Sequence, residues 1–569
     1  MRFHFPYHRM FFVNLMRLAL TMRLCCMRIS SLVVYLVVLS LVSGRASAAT
    51  QPPLFDWVRT VGGPQSDAAS AVALDGQTNV YVTGNFNGTV SFGTNVLSAS
   101  GSDMFLAKYD RAGNCLWARA GGTSSDAAGR AVAADRNGNI LITGSYVGTL
   151  FSGTNLLTST GPSPNNNVFV AKYNPSGTLL WTRQGGGNFD DVGQGLGIDA
   201  ADNYYVTGFF TDQATFGTNI ISRSGAVGMF LARYTSTGTV SWVRQSQPGD
   251  GDNSGVAVAV QTNGISYTIG NFTGSNIVFG SINVTNHGTR QDIFIVKHDT
   301  NGTPLWAKGA GGSGTNGTYS CCIAGIDSGD AIALDPSNNV FVAGTFTATA
   351  EFGTNILVAS TTNGNAQNVY LAKYDTNGNV LWVRQSTNAL KDTSVGGVGT
   401  DSAGEAYLVG FFSDKITFGN SNHVSLGSGD IFLTRWSSGG NFVWSKTFGS
   451  TNQDSGYAIA VNGSNTLFVA GTFAGPTTFG SVTVTNVGAR DLFVLRVGLP
   501  SPLLRIARTN QQVRLTWPFV LTNYVLQSST NLPPSWTNFP AAILTTNSEN
   551  SVLVSPSNSA RYFRLNFVP

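Results

Sequence analysis

With 569 residues, only 11% of them charged, and 67 glycines, the chain lacks the composition of a helical bundle; abundant Thr, Ser, Asn and Gly favour short strands joined by tight turns. Its formal net charge of +4 belongs to the N-terminus, since residues 1–48 hold six arginines and no acid and the remainder carries 27 basic against 29 acidic side chains, a net −2. That excludes the clustered cationic surface a nucleic-acid partner requires, and Cys115, Cys321 and Cys322, the three cysteines after residue 48, exclude a disulfide-dense scaffold.

In chain order, the arginine-rich opening leads into the apolar run Leu32 to Val42 and then Ala46-Ser47-Ala48, the order of a secretory signal peptide with a small-residue cleavage site. The apolar run is shorter than the about 20 residues that span a bilayer. Residues 1–48 are therefore expected to be removed on export, leaving no transmembrane anchor, and the protein is expected to be secreted, at the cell surface or in the periplasm. Met22 or Met27 would give a signal of more ordinary length.

From Phe55 onward one unit recurs every 60 to 76 residues, marked by Trp57, Trp117, Trp181, Trp242, Trp306, Trp382 and Trp444. A second marker, Gly-x-aromatic, runs from Gly84 with Phe86 to Gly471 with Phe473; a third, aromatic-x-x-basic, runs from Phe105 with Lys108 to Phe493 with Arg496. Each occurs seven times. The first unit reads as four strands, Ala71 to Asp75, Asn79 to Phe86, Met104 to Tyr109 and Leu116 to Ala120, separated by Gly- and Asn-bearing turns. A variable segment opening with Phe-Gly, as at Phe92, Phe216, Phe279, Phe352, Phe418 and Phe479, follows the second strand; Phe151 is followed instead by Ser152.

Four strands repeated seven times predict an all-β chain, a seven-bladed β-propeller over residues 50–499. The repeat region opens on a tryptophan strand, Phe55 to Val61, and ends on a strand of the third kind, Leu492 to Val497. The leading strand is thus expected to complete the last blade. The wording Asn-Val-Tyr-Val-Thr-Gly at 79–84 and Phe-Leu-Ala-Lys-Tyr-Asp at 105–110 resembles the bacterial SBBP propeller repeats. The resemblance implies an exported or surface propeller and carries no general activity.

The repeat also places charge. A base stands two residues after each marker tryptophan, at Arg59, Arg119, Arg183, Arg244, Lys308, Arg384 and Lys446, and recurrence in every unit points to structure, because a reaction needs one asymmetric constellation. An acid precedes each inner strand, at Asp67, Asp126, Asp191, Asp252, Asp327, Asp392 and Asp454. These are read first as turn formers, with a Ca²⁺-binding ring at one channel mouth as the sharper alternative. No catalytic set and no cofactor site is picked out. Cys321-Cys322 and the Tyr374-Asp375, Gly378, Leu381-Trp382 wording resemble quinoprotein dehydrogenases, but that class has eight blades and no cofactor-metal carboxylate set is found. His287, His298 and His423 lack metal-ligand spacing, and neither a G-x-S-x-G element nor a phosphate loop occurs. Glycines such as Gly185 to Gly187 are read as turns.

After Pro500 and Pro502 the repeat stops, and residues 501–569 are expected to form a small β-sandwich, with strands at Leu503 to Arg508, Val513 to Trp517, Tyr524 to Ser528 and Tyr562 to Phe567. Tyr524 to Asn531, Trp536 and Arg561 to Arg564 resemble fibronectin type III or immunoglobulin-like modules. The functional expectation is a monomeric, non-catalytic scaffold binding a glycan or protein through the segments after each Phe-Gly and the mouth bearing the acids. The alternative is an enzyme, quinoprotein-like or polysaccharide-cleaving.

Overall fold

The computed structural model describes residues 53–122, 126–161, 165–247, 249–288, 290–312, 326–360, 367–463, 466–499, 505–509, 512–518, 524–530, 537–539, 543–545, 549–554 and 562–567. Residues 1–48, expected to be an export signal, and Cys321-Cys322 lie outside them. Among the described residues no helix is long and apolar enough to cross a membrane.

The chain is an all-β propeller followed by a small sandwich. Its first antiparallel array runs Ala68–Leu74, Val80–Phe92, Asn95–Tyr109 and Cys115–Ala120, each strand paired with the next. Six more four-strand arrays start on the inner strands Ala127–Ala134, Val192–Ile198, Asn253–Val260, Ser328–Leu334, Thr393–Thr400 and Ser455–Asn462, the first two of them joined into one eight-stranded sheet where Gly185 and Gly186 pair with Phe216 and Thr215. Each inner strand packs on the next around the set, and the last packs on the first, so the arrays close a ring about an axial channel. Second strands such as Ile140–Tyr146 and Val340–Phe346 are buried at every residue, because neighbouring arrays cover both faces of each sheet.

The leading strand Leu54–Val61 pairs antiparallel with Asp491–Gly498, from Leu54 opposite Gly498 to Val61 opposite Leu492. It supplies the outer strand of the last array, as the phase of the repeat predicts.

The variable Phe-Gly segments, expected to carry the ligand contacts, are built as hairpins. After the second strand the chain forms a hairpin, Thr349–Phe352 with Asn355–Val358 for example, and Gly353 at φ +62° occupies its tight turn. The preceding phenylalanine turns inward: Phe352 lies 4.7 Å from Tyr370 and Phe92 5.0 Å from Phe105, between ring centroids. Ala350, Phe352 and Leu357 share one core with Ile293 and Ile295 of the preceding array. The hairpin also bridges back to that array, Gly311 pairing with Glu351. These segments are therefore inter-blade wedges.

The tail forms two sheets, one ordered Leu544–Thr545, Glu549–Val554, Gln512–Pro518, Arg505–Thr509 and the other Thr537–Asn538, Tyr524–Ser529, Tyr562–Phe567. Leu515, Trp517 and Val552 of the first meet Leu526 of the second in a common core.

Candidate functional site

Every inner strand carries one extra residue. In the first array Ala69 faces Gly84 and Ala71 faces Thr83, leaving Ser70 unpaired; the same register shift occurs in the other six. Such a bulge redirects a side chain out of the alternating pattern. It also explains the marker glycine: a Cβ on Gly84 would overlap the Ala68 carbonyl oxygen, and Gly144, Gly208, Gly270, Gly344, Gly410 and Gly471 stand in the same relation to the inner-strand carbonyl beside them.

The bulged residues are Ser70, Arg130, Gln194, Val256, Asp330, Gly396 and Tyr457. Whereas the markers repeat the same chemistry seven times, this position carries seven different side chains. All keep some exposure directly after a buried residue, and Arg130 is exposed. They lie on the innermost strands of the ring, on the edge that has no hydrogen-bonded neighbour; a Cβ on Gly396 would meet the Tyr457 backbone of the next array, so the position also borders the adjoining inner strand. Arg130 is reachable by water yet surrounded by protein, and that enclosure lowers its pKa, as expected for a guanidinium inside a channel. Desolvation raises Asp330 to about 6, against the hydrogen bond from Ser328 Oγ. Gln194 Oε1 accepts from Ser254 Oγ of the next array at 3.3 Å. The signal was present in the sequence as a hypervariable residue inside a strand of alanines, glycines and valines.

The seven predicted acids separate into two groups. Asp67, Asp191, Asp327 and Asp454 are almost wholly buried, and each carboxylate accepts two backbone amides. Asp67 takes Gly63 N (2.8 Å) and Asn87 N (2.9 Å); Asp191 takes Gly187 N (2.7 Å) and Thr211 N (3.2 Å). Asp327 takes Gly312 N (2.8 Å) and Thr347 N (3.0 Å); Asp454 takes Ser450 N (2.6 Å) and Ala474 N (2.9 Å). In each case one donor follows the outer strand of the preceding array and the other lies in the far half of the second strand of the same array or just after it. The four acids are junction clasps, which is the turn-forming role. Asp126, Asp252 and Asp392 are exposed, and Asp252 Oδ1 accepts Val227 N at 2.9 Å. Among the described residues no group of three or more His, Cys, Asp or Glu could hold a metal ion.

The recurrent bases are clasps as well. Arg119 donates to Gly177 O at 2.9 Å and lies 5.4 Å from the Trp117 ring, and Lys108 Nζ and Trp117 Nε1 share Pro175 O at 3.2 and 3.1 Å. All these acceptors sit in the next array. Gly186 and Gly187, read as turns, make room: a Cβ on Gly186 would collide with Asn167, and one on Gly187 with Gln213 O. Cys115 is a free thiol whose pKa burial raises to about 11. The histidines are dispersed: His287 Nδ1 meets Asp292 Oδ2 at 3.0 Å, His423 Nε2 meets Ser445 Oγ at 2.6 Å, and His298 is buried and held down to about 4.

No protein-family model matches the chain. It is similar to an uncharacterized WD repeat-containing protein, L264, of Acanthamoeba polyphaga mimivirus, 24% identical over 507 residues, covering 73% of this chain and 36% of that one. The chain thus spans about a third of that relative's length. Among solved structures it is similar to the quinohemoprotein alcohol dehydrogenase of Comamonas testosteroni (TM-score 0.37, 12% identity, 81% of this chain and 78% of that). It is also similar to an ulvan lyase (TM-score 0.36, 12% identity, 74% and 93%). The chain is a β-propeller repeat protein.

Proposed function

We propose that this chain is an exported, seven-bladed β-propeller of the SBBP type that acts as a monomeric binding scaffold for a glycan or protein at the cell envelope or outside the cell. The C-terminal sandwich is its fibronectin type III or immunoglobulin-like attachment module. One observation carries the reading: in a ring that repeats its marker chemistry sevenfold, the bulge position on the innermost strands carries seven unlike residues that all keep some exposure. Rigid scaffolds concentrate recognition where a repeated frame carries varied groups. Each Phe-Gly hairpin spends one face on the blade junction and exposes the other, and the uniform wedge role of that packed face makes the varied channel mouth the better candidate surface.

The test is a glycan array and a cell-surface protein panel probed with the purified chain and with the triple variant Arg130→Ala, Gln194→Ala, Tyr457→Ala. Binding by the parent and its loss in the variant, at unchanged melting temperature, is the expected result. Equal binding by both would remove the channel mouth from the reading. The enzymatic alternative draws on Asp330, a carboxyl raised to about 6 and thus suited to general acid-base work near neutral pH. Turnover of a bound glycan that disappears in Asp330→Asn would favour it over the scaffold.

A further inference from the structure

We infer that the channel mouth takes a carboxylate-bearing sugar chain, an oligouronide, whose acid group pairs with Arg130. The inference rests on the binding reading above and narrows it to a ligand class.

Arg130 is the one base among the bulged residues, and its surroundings are unlike those of the repeat arginines. Arg59, Arg119, Arg183, Arg244 and Arg384 each donate to backbone carbonyls of the neighbouring array. Arg130 has neither an ion pair nor a hydrogen bond among the described residues. Holding an unpaired guanidinium inside a protein-walled channel costs stability, because the protein replaces part of its hydration without supplying an acceptor. A planar fork with its donors unspent is matched by a planar carboxylate, which accepts two parallel N–H bonds.

The order of the arrays places Ser70 on one side of Arg130 and Gln194 on the other, with Tyr457 one array beyond Ser70. A hydroxyl, an amide and a phenol in one arc can each donate and accept, which suits the hydroxyls of a sugar. The residues flanking them in the strands, Ala69 and Ala71, Gly129 and Ala131, Gly193 and Gly195, are small, so the polar groups are what a ligand meets there. Asp330 lies three arrays from Arg130, as far round as a ring of this size allows. Its carboxylate disfavours the acid end on that side and so sets the direction in which the ligand lies.

The test measures equilibrium binding of the purified chain to oligouronides of the galacturonate, mannuronate, guluronate and glucuronate types, and to the same chains after reduction of their carboxyls to alcohols. At least one acidic chain is expected to bind about tenfold or more tightly than its reduced form. Arg130→Gln should abolish that difference and Arg130→Lys keep part of it, as for loss of a charge-assisted hydrogen-bonded pair. Neither variant should melt below the parent, because Arg130 pairs with no described group, and Arg130→Gln should melt at or slightly above it, because the partly desolvated charge is gone. Equal binding of acidic and reduced chains, or binding indifferent to Arg130→Gln, overturns the inference and leaves the scaffold reading standing. Binding of a peptide with a free C-terminal carboxylate, without any oligouronide, assigns Arg130 to a protein ligand and also overturns it. Absence of all binding, to oligouronides, neutral glycans and peptides alike, overturns both.

Discussion

At the scale of single residues, close packing between bulge and marker glycine makes the repeat intolerant of one methyl group. A Cβ on Gly84 meets the Ala68 carbonyl oxygen, while one on Gly76 meets nothing within 4 Å. Gly84→Ala is expected to cost about 2 kcal/mol or more through forced backbone movement, and Gly76→Ala to stay within about 0.5 kcal/mol; denaturant unfolding of the two compares them directly. Protons bind with similar selectivity. Asp430 Oδ2 accepts Leu426 N at 2.9 Å, but its buried Oδ1 has no partner. At the same place in other arrays Asn167 and Asn368 donate an amide, to Gly187 O and Ser386 O. Desolvation raises Asp430 to about 6, with Asp454 adding to it. The folded carboxyl therefore keeps its proton to higher pH than the unfolded one. Its contribution is greatest below the ordinary value of 3.8 and is lost as pH climbs through about 6. Asp430→Asn, which carries a permanent donor there, should lose roughly 1–2 kcal/mol less than the parent between pH 4.5 and 7.5. Thermal melts of the pair across that range measure the difference, and the subtraction removes the opposite slope from His298, held down to about 4. Parallel pH curves would refute the assignment.

At the scale of elements, the outer strand is a clasp whose acceptor is a turn in the next array. Trp57, Trp117, Trp242, Trp306 and Trp382 donate their indole N–H to Arg111 O, Pro175 O, Thr300 O, Thr376 O and Ser438 O, at 3.1 to 3.2 Å. Trp444 is as buried as Trp117, yet its Nε1 has no partner. The reason is topological. The turn that should face Trp444 would join the third and outer strands of the last array, and those strands, Asp491–Gly498 and Leu54–Val61, come from opposite ends of the propeller. Trp444→Phe should therefore cost about 1 kcal/mol less than Trp117→Phe, the worth of one hydrogen bond, in paired chemical unfolding curves. Tryptophan, glycine and aromatic markers made the strand count and the closing strand legible in the sequence, because each marks a place where neighbouring arrays must touch. The bulge was not legible: an extra residue breaks the alternation of two, and inner strands such as Ala68–Leu74 are too poor in large side chains to show it. Hence the repeated acids stand out in the sequence and the varied position does not. The hairpins are not legible either: Phe-Gly reads as the opening of a variable segment, whereas the glycine is the turn and the phenylalanine its buried anchor. In the tail, Glu549–Val554 opens on Glu-Asn-Ser, which conceals a central strand.

For the molecule as a whole, the ring is held shut by hydrogen bonds and packing between its two ends. Leu54–Val61 contributes the full ladder to Asp491–Gly498, inserts Val58 and Val61 into two different cores, and carries Trp57 and Arg59 onto Arg111, Ala112 and Gly113 of the first array. Without it the edge of Asp491–Gly498 is left unpaired, which invites pairing with another chain, and the clasp on the first array is lost. Deletion of residues 53–62 should therefore lower the melting temperature of the whole propeller and promote association, whereas deletion of residues 1–52 should leave both unchanged. The loss must also be reversible by topology. A permuted chain that carries residues 53–62 after residue 499 through a short linker restores the same ladder with a covalent turn, and by removing loop-closure freedom from the unfolded chain it should melt at or above the parent temperature. Calorimetry of the parent, the deletion and the permuted chain decides the point: a deletion that melts with the parent, or a permuted chain as weak as the deletion, would mean that the ring draws its stability from somewhere other than this seam.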